Sequence, residues 1–187
     1  PTQETGQLVD CPVFYCYNKE NCLAVGGNGM EMRRKDLAVT EKEQIDAIIQ
    51  SCDCVRLAFA DGTHPYIVPL SFGYHREDGV SKFYFHSAAA GRKVELCRKL
   101  GYAGFELDTN RQLKPDEKPC DFSVAYQSVV GEGTITELKT PEEKTAGLQV
   151  IMKHYSDRTD WTFPEAVLNR TCVFCLTVVE LSGRAHG

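Results

Sequence analysis

Several features are scarce in this 187-residue chain. No apolar run approaches the ~20 residues that a membrane-spanning helix requires. No basic stretch followed by an apolar block resembles a secretory leader. Clustered cations are lacking too: 21 Lys and Arg face 26 Asp and Glu, a net charge of −5. That argues against non-specific nucleic-acid binding as the main role, because phosphate backbones call for concentrated positive charge. Internal repeats and low-complexity segments are absent, which removes solenoids from consideration. What remains is an ordinary globular composition, with 42% hydrophobic residues to build a core. The length fits one domain with an appendage.

Cysteine, by contrast, is plentiful. Nine thiols are an odd number, and with no export pattern the reading is a reducing, cytoplasmic compartment with free thiols. Cys172 and Cys175 form a C-x-x-C, but within the strand-like run TCVFCLTVVEL. Side chains three apart on a strand point to opposite faces, so this pair cannot chelate one ion. Cys11, Cys16 and Cys22 are loosely spaced with no fourth ligand nearby, which leaves a zinc or cluster site there as the lesser reading.

Residues 1–29 mix cysteines, tyrosines and the stretch Gly26-Gly27-Asn28-Gly29 without periodicity. They read as an extension and linker, with the domain proper over 30–187 and Met30 or Met32 as its natural start. Thr40 and Glu43 form a predicted capping box, followed by a helix carrying Ile45, Ile48 and Ile49. Strands are expected at 54–59, 65–74, 82–87, 102–108, 122–138 and 172–181, with a polar loop over 109–118. Helices are expected over 91–100 and from a second capping box, Thr140-Pro141-Glu142-Glu143, to about 155, with a short one at 164–169. The last strand is apolar on both faces, so both should be covered. Short hairpin connections favour a mainly antiparallel barrel of about six strands with flanking helices over a doubly wound sheet.

The chemically informative segment is Phe85-His86-Ser87-Ala88-Ala89-Ala90-Gly91-Arg92-Lys93. A strand gives way to small residues and then to a helix that begins with two cations. Cations are disfavoured there by the helix dipole. Free amides, two basic side chains, the Ser87 hydroxyl and no bulky neighbour together describe a phosphate site. A helix that merely begins with solvated Arg and Lys is the bland alternative. Pro69 inside the strand at 65–74 cannot donate to a ladder, which implies a free or broken edge. His86 shares a strand face with Tyr84 and is either a hydrogen-bonded structural residue or a proton donor. His64 and His75 fall by turns and read as exposed, and His154 ends a helix where its charge suits the dipole. Trp161 and Phe163 read as packing residues.

These segments resemble a known family. The chain is similar to the 5-nitroimidazole reductase (Nim) branch of the pyridoxamine-5'-phosphate-oxidase-like, FMN-binding split barrels. The resemblance covers about Met32 to Gly187. Its anchors are Met32-Arg33-Arg34-Lys35, Pro65-Tyr66-Ile67-Val68-Pro69-Leu70, and His86-Ser87 followed by Gly91-Arg92-Lys93. Further anchors are Tyr126-Gln127-Ser128-Val129-Val130-Gly131, Asn169-Arg170-Thr171 and Ser182-Gly183-Arg184. The resemblance implies a homodimer with FMN at the subunit interface. It implies that Arg92 and Lys93 hold the phosphate with help from Ser87, and that Val68, Pro69, Leu70 and Ser71 line the flavin. Gln127, Ser128 and Arg184 would make further cofactor contacts, and His86 would face the substrate. Many relatives carry Arg at the position of Gln127, so a charge role there does not transfer.

The implied activity is electron transfer from a reduced donor through FMN to a nitroimidazole or similar small aromatic acceptor. Two alternatives stay open. Arg184-Ala185-His186 resembles the Arg-x-His of pyridoxamine-phosphate oxidases, although Leu70 and Ser71 stand where those enzymes place a lysine. A non-enzymatic flavin or haem carrier on the same barrel, with His86 as axial ligand, is the other.

Overall fold

The computed structural model describes residues 34–187. The expectations for residues 1–29, including Cys11, Cys16 and Cys22, and for Met30, Met32 and Arg33 lie outside the described residues. After one 3-10 turn (Lys35–Leu37) come β1 (Ala38–Val39), α1 (Lys42–Gln50), β2 (Val55–Asp61), β3 (His64–Leu70), β4 (Gly73–Glu77) and β5 (Val80–Ala88). Then follow α2 (Arg92–Leu100), β6 (Tyr102–Lys114), β7 (Ser123–Leu138), α3 (Pro141–Tyr155), α4 (Glu165–Arg170) and β8 (Thr171–His186). Every strand pair is antiparallel. The sheet runs β3-β2-β6-β7-β8-β5-β4, with β1 added against β8. This is the mainly antiparallel split barrel with flanking helices that the hairpin pattern implies, built from eight strands rather than about six.

Two features raise the strand count. The segment at 65–74 divides into β3 and β4, because Phe72 turns fully into the core and its N–H donates to the Tyr155 hydroxyl at 2.9 Å instead of to a ladder. The two-residue β1 is too short to show a period. A third difference lies at 109–114, expected as loop. A register shift between Thr109 and Gln112, with Asn110 at φ 55°, lets a polar, exposed ribbon keep pairing with the start of β7.

Alternation along the strands builds the core. Leu57, Phe83, Phe85, Leu107, Val129, Phe174 and Leu176 are each fully buried and pack in one cluster with Ile45, Ile48 and Ile49 of α1. A second cluster joins Leu148 and Ile151 of α3, Leu168 of α4 and Val173 of β8, with Tyr84 against it. Thus β8 is apolar on both faces because one meets the barrel core and the other meets α3. Cys172 lies in the first cluster, whereas Cys175 hydrogen-bonds toward Tyr84 on the α3 side, so the two thiols do point apart. At Gly73 a Cβ would lie 2.5 Å from the backbone of Val150 and Ile151. Only glycine lets α3 cross β4 this closely.

The two predicted capping boxes differ in outcome. At α3 both reciprocal bonds form: Glu143 N–H donates to Thr140 Oγ1 at 3.2 Å, and Thr140 N–H to Glu143 Oε2 at 3.0 Å. At α1 neither forms. Ile45 N–H bonds the carbonyl of Glu41, so Glu41 and not Thr40 is the N-cap, without a side-chain bond. Among the described residues no helix is long and apolar enough to cross a membrane.

Candidate functional site

The corner where β5 passes into α2 is open and rich in donors. Gly91 is the N-cap of α2 at φ 128°, ψ 162°, and no side chain caps the helix. That backbone region is essentially reserved for glycine. The first-turn amides of α2 are therefore left to solvent or a ligand. Residues 88–91 are exposed and small. Ser87 is half-buried at the end of β5, on the face of β5 that carries Phe83 and Phe85.

The two cations behave differently. Arg92 donates through Nε and Nη2 to Oδ2 of Asp61, at 3.1 and 2.9 Å, and its Cζ sits 4.7 Å from the centroid of the Tyr66 ring. Lys93 is half-buried, and burial lowers its pKa. It makes no ion pair with any described residue. A half-buried ammonium without a counter-ion is unfavourable, and an arriving anion would remove that penalty. His86 lies on the other face of β5 from Ser87, beside Tyr84 as the period requires. His86 is exposed by surface area, but desolvation by its neighbours, and then the charge of Lys93, lower its pKa and favour the neutral imidazole.

β3 lies at one end of the sheet order and, among the described residues, pairs only with β2. Its second edge is unpaired among those residues, as Pro69 implied. Val68 and Leu70 are half-buried against the barrel core, while Pro69 and Ser71 are exposed. These four side chains alternate between faces, so one flat ring would meet the strand's free backbone edge rather than all four side chains. Ser71 hydrogen-bonds toward Tyr155.

Gln127, Ser128 and Arg184 form a separate group. Ser128 pairs with Asp108 and with Arg184. Gln127 faces the other way and its Oε1 accepts from Asn110 Nδ2 at 2.7 Å. A cleft of about 560 Å³ is lined by Arg56, Glu106, Asp108, Arg111, Val124, Tyr126 and Ser128. Arg56 bridges Glu106 and Asp108 at 2.9 and 2.6 Å. Arg184 lies over Tyr126, 5.8 Å from its centroid, and its Nε is buried without a hydrogen-bond partner. His186 lies near that ring, 6.0 Å between centroids, and approaches Ser123 Oγ at 3.0 Å.

Within one chain the two groups stand apart. Asp61, which holds Arg92, is five residues along β2 from Arg56, roughly 17 Å at ~3.3 Å per residue. Sequence reasoning missed Asp61 and Tyr66 as partners of Arg92. Asp61 read only as the start of an Asp-Gly turn, and no local pattern links it to a guanidinium 31 positions away. The Arg56–Glu106–Asp108 cluster was missed for the same reason. His64 and His75 are exposed as expected. His154 does more than end a helix: its Nε2 is 2.8 Å from the Cys52 carbonyl and its ring packs tilted against Phe72, centroids 4.3 Å apart. Phe163 packs against the second cluster, and Trp161 lies under Arg158 at 4.3 Å.

The barrel topology, with an uncapped, donor-rich corner at its β5–α2 junction, defines a split-barrel class of protein. The sequence profile described as pyridoxamine 5'-phosphate oxidase matches residues 41–185, and the chain belongs to that family. Among solved structures it is similar to a candidate 5-nitroimidazole antibiotic resistance protein from Bacteroides thetaiotaomicron, at 24% identity and a TM-score of 0.69, covering 81% of this chain and 90% of that one. It is also similar to a flavocytochrome from Azotobacter vinelandii, at 18% identity, a TM-score of 0.68 and coverages of 84% and 72%. A protein from Mycobacterium smegmatis that binds FAD and haem has 16% identity, a TM-score of 0.67 and coverages of 80% and 74%. At these identities the likeness is one of fold. No curated protein sequence matches the chain.

Proposed function

We propose that this chain is an FMN-dependent reductase of small aromatic acceptors of the nitroimidazole type, acting as a cytoplasmic homodimer. The observation that carries the reading is the β5–α2 corner: uncapped helix amides, a glycine-only N-cap and a half-buried Lys93 without a counter-ion among the described residues. The residues present suit a flavin phosphate there. The orphaned Arg184 Nε beside Ser128 is a second donor awaiting an acceptor.

Lys93 supplies charge to the phosphate, the amides of α2 supply hydrogen bonds, and Ser87 adds a hydroxyl. Val68, Pro69, Leu70 and Ser71 present the free edge of β3 to the ring system. When bound, the flavin supplies the redox chemistry, accepting electrons from a reduced donor and passing them to the acceptor. Desolvation and the charge of Lys93 favour the neutral form of His86. An anion beside Lys93 offsets the charge that depresses its pKa, so His86 gains a proton more readily in the loaded protein. That suits it to protonate acceptor oxygens as they gain charge.

A homodimer accounts for the second group. Gln127, Ser128 and Arg184 would complete the site of a partner copy. The outer sheet face that carries Ser128 also exposes Ile67 at 62% and Val130 at 38%, around the small residues Ala58 and Gly104. That apolar area favours a covered face.

The test is Arg92→Ala with Lys93→Ala. The double variant is expected to lose FMN, read by flavin fluorescence, while its circular dichroism stays that of the folded barrel. Retention of wild-type affinity would overturn the phosphate assignment. Anaerobic bleaching by NAD(P)H followed by reoxidation with a nitroimidazole tests the reaction class. Because two proteins of similar fold bind haem as well as flavin, the visible spectrum decides between a flavoprotein and a haem carrier.

A further inference from the structure

We propose that Asp61 and Tyr66 are positioning residues that fix the guanidinium of Arg92 before an anion arrives. The proposal rests on the phosphate reading of the β5–α2 corner. An arginine in the first turn of a helix is repelled by its own helix dipole and would otherwise sweep through solvent. Here two neighbouring strands restrain it. From the end of β2, Asp61 takes both Nε and Nη2 on a single oxygen, at 3.1 and 2.9 Å. From β3, the Tyr66 ring covers one face of the guanidinium at 4.7 Å. Together they set both the plane of the group and its direction, and they leave Nη1 unused.

Arg92 stays about half exposed at 54%, so the restrained group remains open to a ligand, whereas Asp61 is 28% exposed. A planar fork already ordered loses less freedom when it grips a phosphate. The carboxylate acts against the anion by repulsion. It lies on the Nε–Nη2 edge, with the delocalised cation between it and a ligand on the Nη1 side. Ordering therefore outweighs repulsion, and removing Asp61 weakens phosphate binding.

The experiment titrates apo-protein with FMN and, separately, with riboflavin, which has the same ring and no phosphate, following flavin fluorescence. Arg92→Ala is expected to weaken FMN and spare riboflavin. Asp61→Ala is expected to weaken FMN about two- to tenfold, the loss associated with ordering one long side chain, and to spare riboflavin. In an Arg92→Ala background Asp61→Ala should cost nothing further. Tyr66→Phe should keep wild-type affinity, because the ring is retained, and Tyr66→Leu should lose part of it. Asp61→Asn supplies a near-isosteric variant in case the alanine form fails to fold, and it too should weaken FMN selectively.

If Arg92→Ala alone has no effect, Arg92 holds no phosphate and positioning is refuted; if Arg92→Ala with Lys93→Ala also leaves FMN unchanged, the phosphate reading itself falls. If Arg92→Ala weakens FMN but Asp61→Ala leaves it unchanged or tightens it, the carboxylate is a competitor and positioning is refuted. Additive losses, or equal losses of riboflavin and FMN, also refute it.

Discussion

Replacing Gly91 by alanine isolates the backbone contribution to the corner. Gly91 is held at φ 128°, ψ 162°, and a Cβ built there meets no atom within 4 Å. Steric collision with the rest of the protein is thus excluded, and the entire effect is local conformational strain. That region costs an L-residue about 1–3 kcal/mol. Alanine returns roughly 0.4–1 kcal/mol by restricting the unfolded chain. The net expectation is a loss of about 1–2 kcal/mol. For a domain of this size that is a fall in Tm of roughly 2–8 °C. The alternative to bearing the strain is to relax the turn, which swings the first amides of α2 away from where they now point. Either route reaches the ligand: the strained form is less populated, and the relaxed form misplaces its donors. The assay pairs thermal unfolding by circular dichroism with FMN titration. Gly91→Ala is expected to lower both Tm and affinity. An unchanged Tm together with unchanged affinity would refute the claim that the unusual backbone at 91 builds the corner.

Two further expectations follow from other parts of the molecule. The His86 imidazole should titrate below the ordinary histidine range by NMR, and Lys93→Gln should raise its pKa, because both burial and Lys93 disfavour the imidazolium. A histidine depressed in the folded state takes up its proton later than the unfolded chain does as pH falls. Stability is thus fully present above the unfolded pKa of ~6.5 and declines as pH drops from there toward the folded value. His86→Gln should flatten that part of the stability profile, and an unaltered profile would contradict the assignment. Tyr155→Phe removes the hydroxyl that accepts from Phe72 N–H and donates to the Asp53 carbonyl, both at 2.9 Å. It should cost about 1–3 kcal/mol by leaving the N–H of a fully buried residue unpaired, measured by urea unfolding; a loss below about 0.5 kcal/mol, the low end of what one hydrogen bond contributes, would show that water replaces the hydroxyl.

Local chemistry made much of this fold legible in sequence. The strand through Val55, Leu57 and Phe59 announces itself by alternation, and the α3 capping box contains both of its partners within four residues. The turn from Ser87 to Lys93 is equally local, so the corner was found intact. What failed was non-local or exposed. The break at Phe72 is dictated by a hydroxyl 83 positions away. The continuation of β6 to Lys114 is a polar ribbon with no buried face, so it carries no period to read. Thr40 and Glu43 satisfied the capping pattern, but α1 opens its ladder one residue later. Arg92 was seen and its partner was not, because an ion pair between the end of β2 and the start of α2 leaves no spacing signature. The same limit hid the cleft around Arg56 and Tyr126.

The spacing of the two donor groups bears on how many copies a complete site requires. Arg92 is anchored at Asp61, one end of β2, and Ser128 lies by Asp108, which binds Arg56 near the other end. A ligand that gripped Lys93 and also lay beside Ser128 of the same chain would have to run the length of that strand, as one reaching Val68–Leu70 also does, because these pair with Leu57–Val55. Across a two-fold axis the corner of one copy can instead face the Ser128–Arg184 row of another, because an isologous contact brings unlike ends of the same surface together. The unpartnered Arg184 Nε and the exposed Ile67 and Val130 then have a common explanation in one covered face.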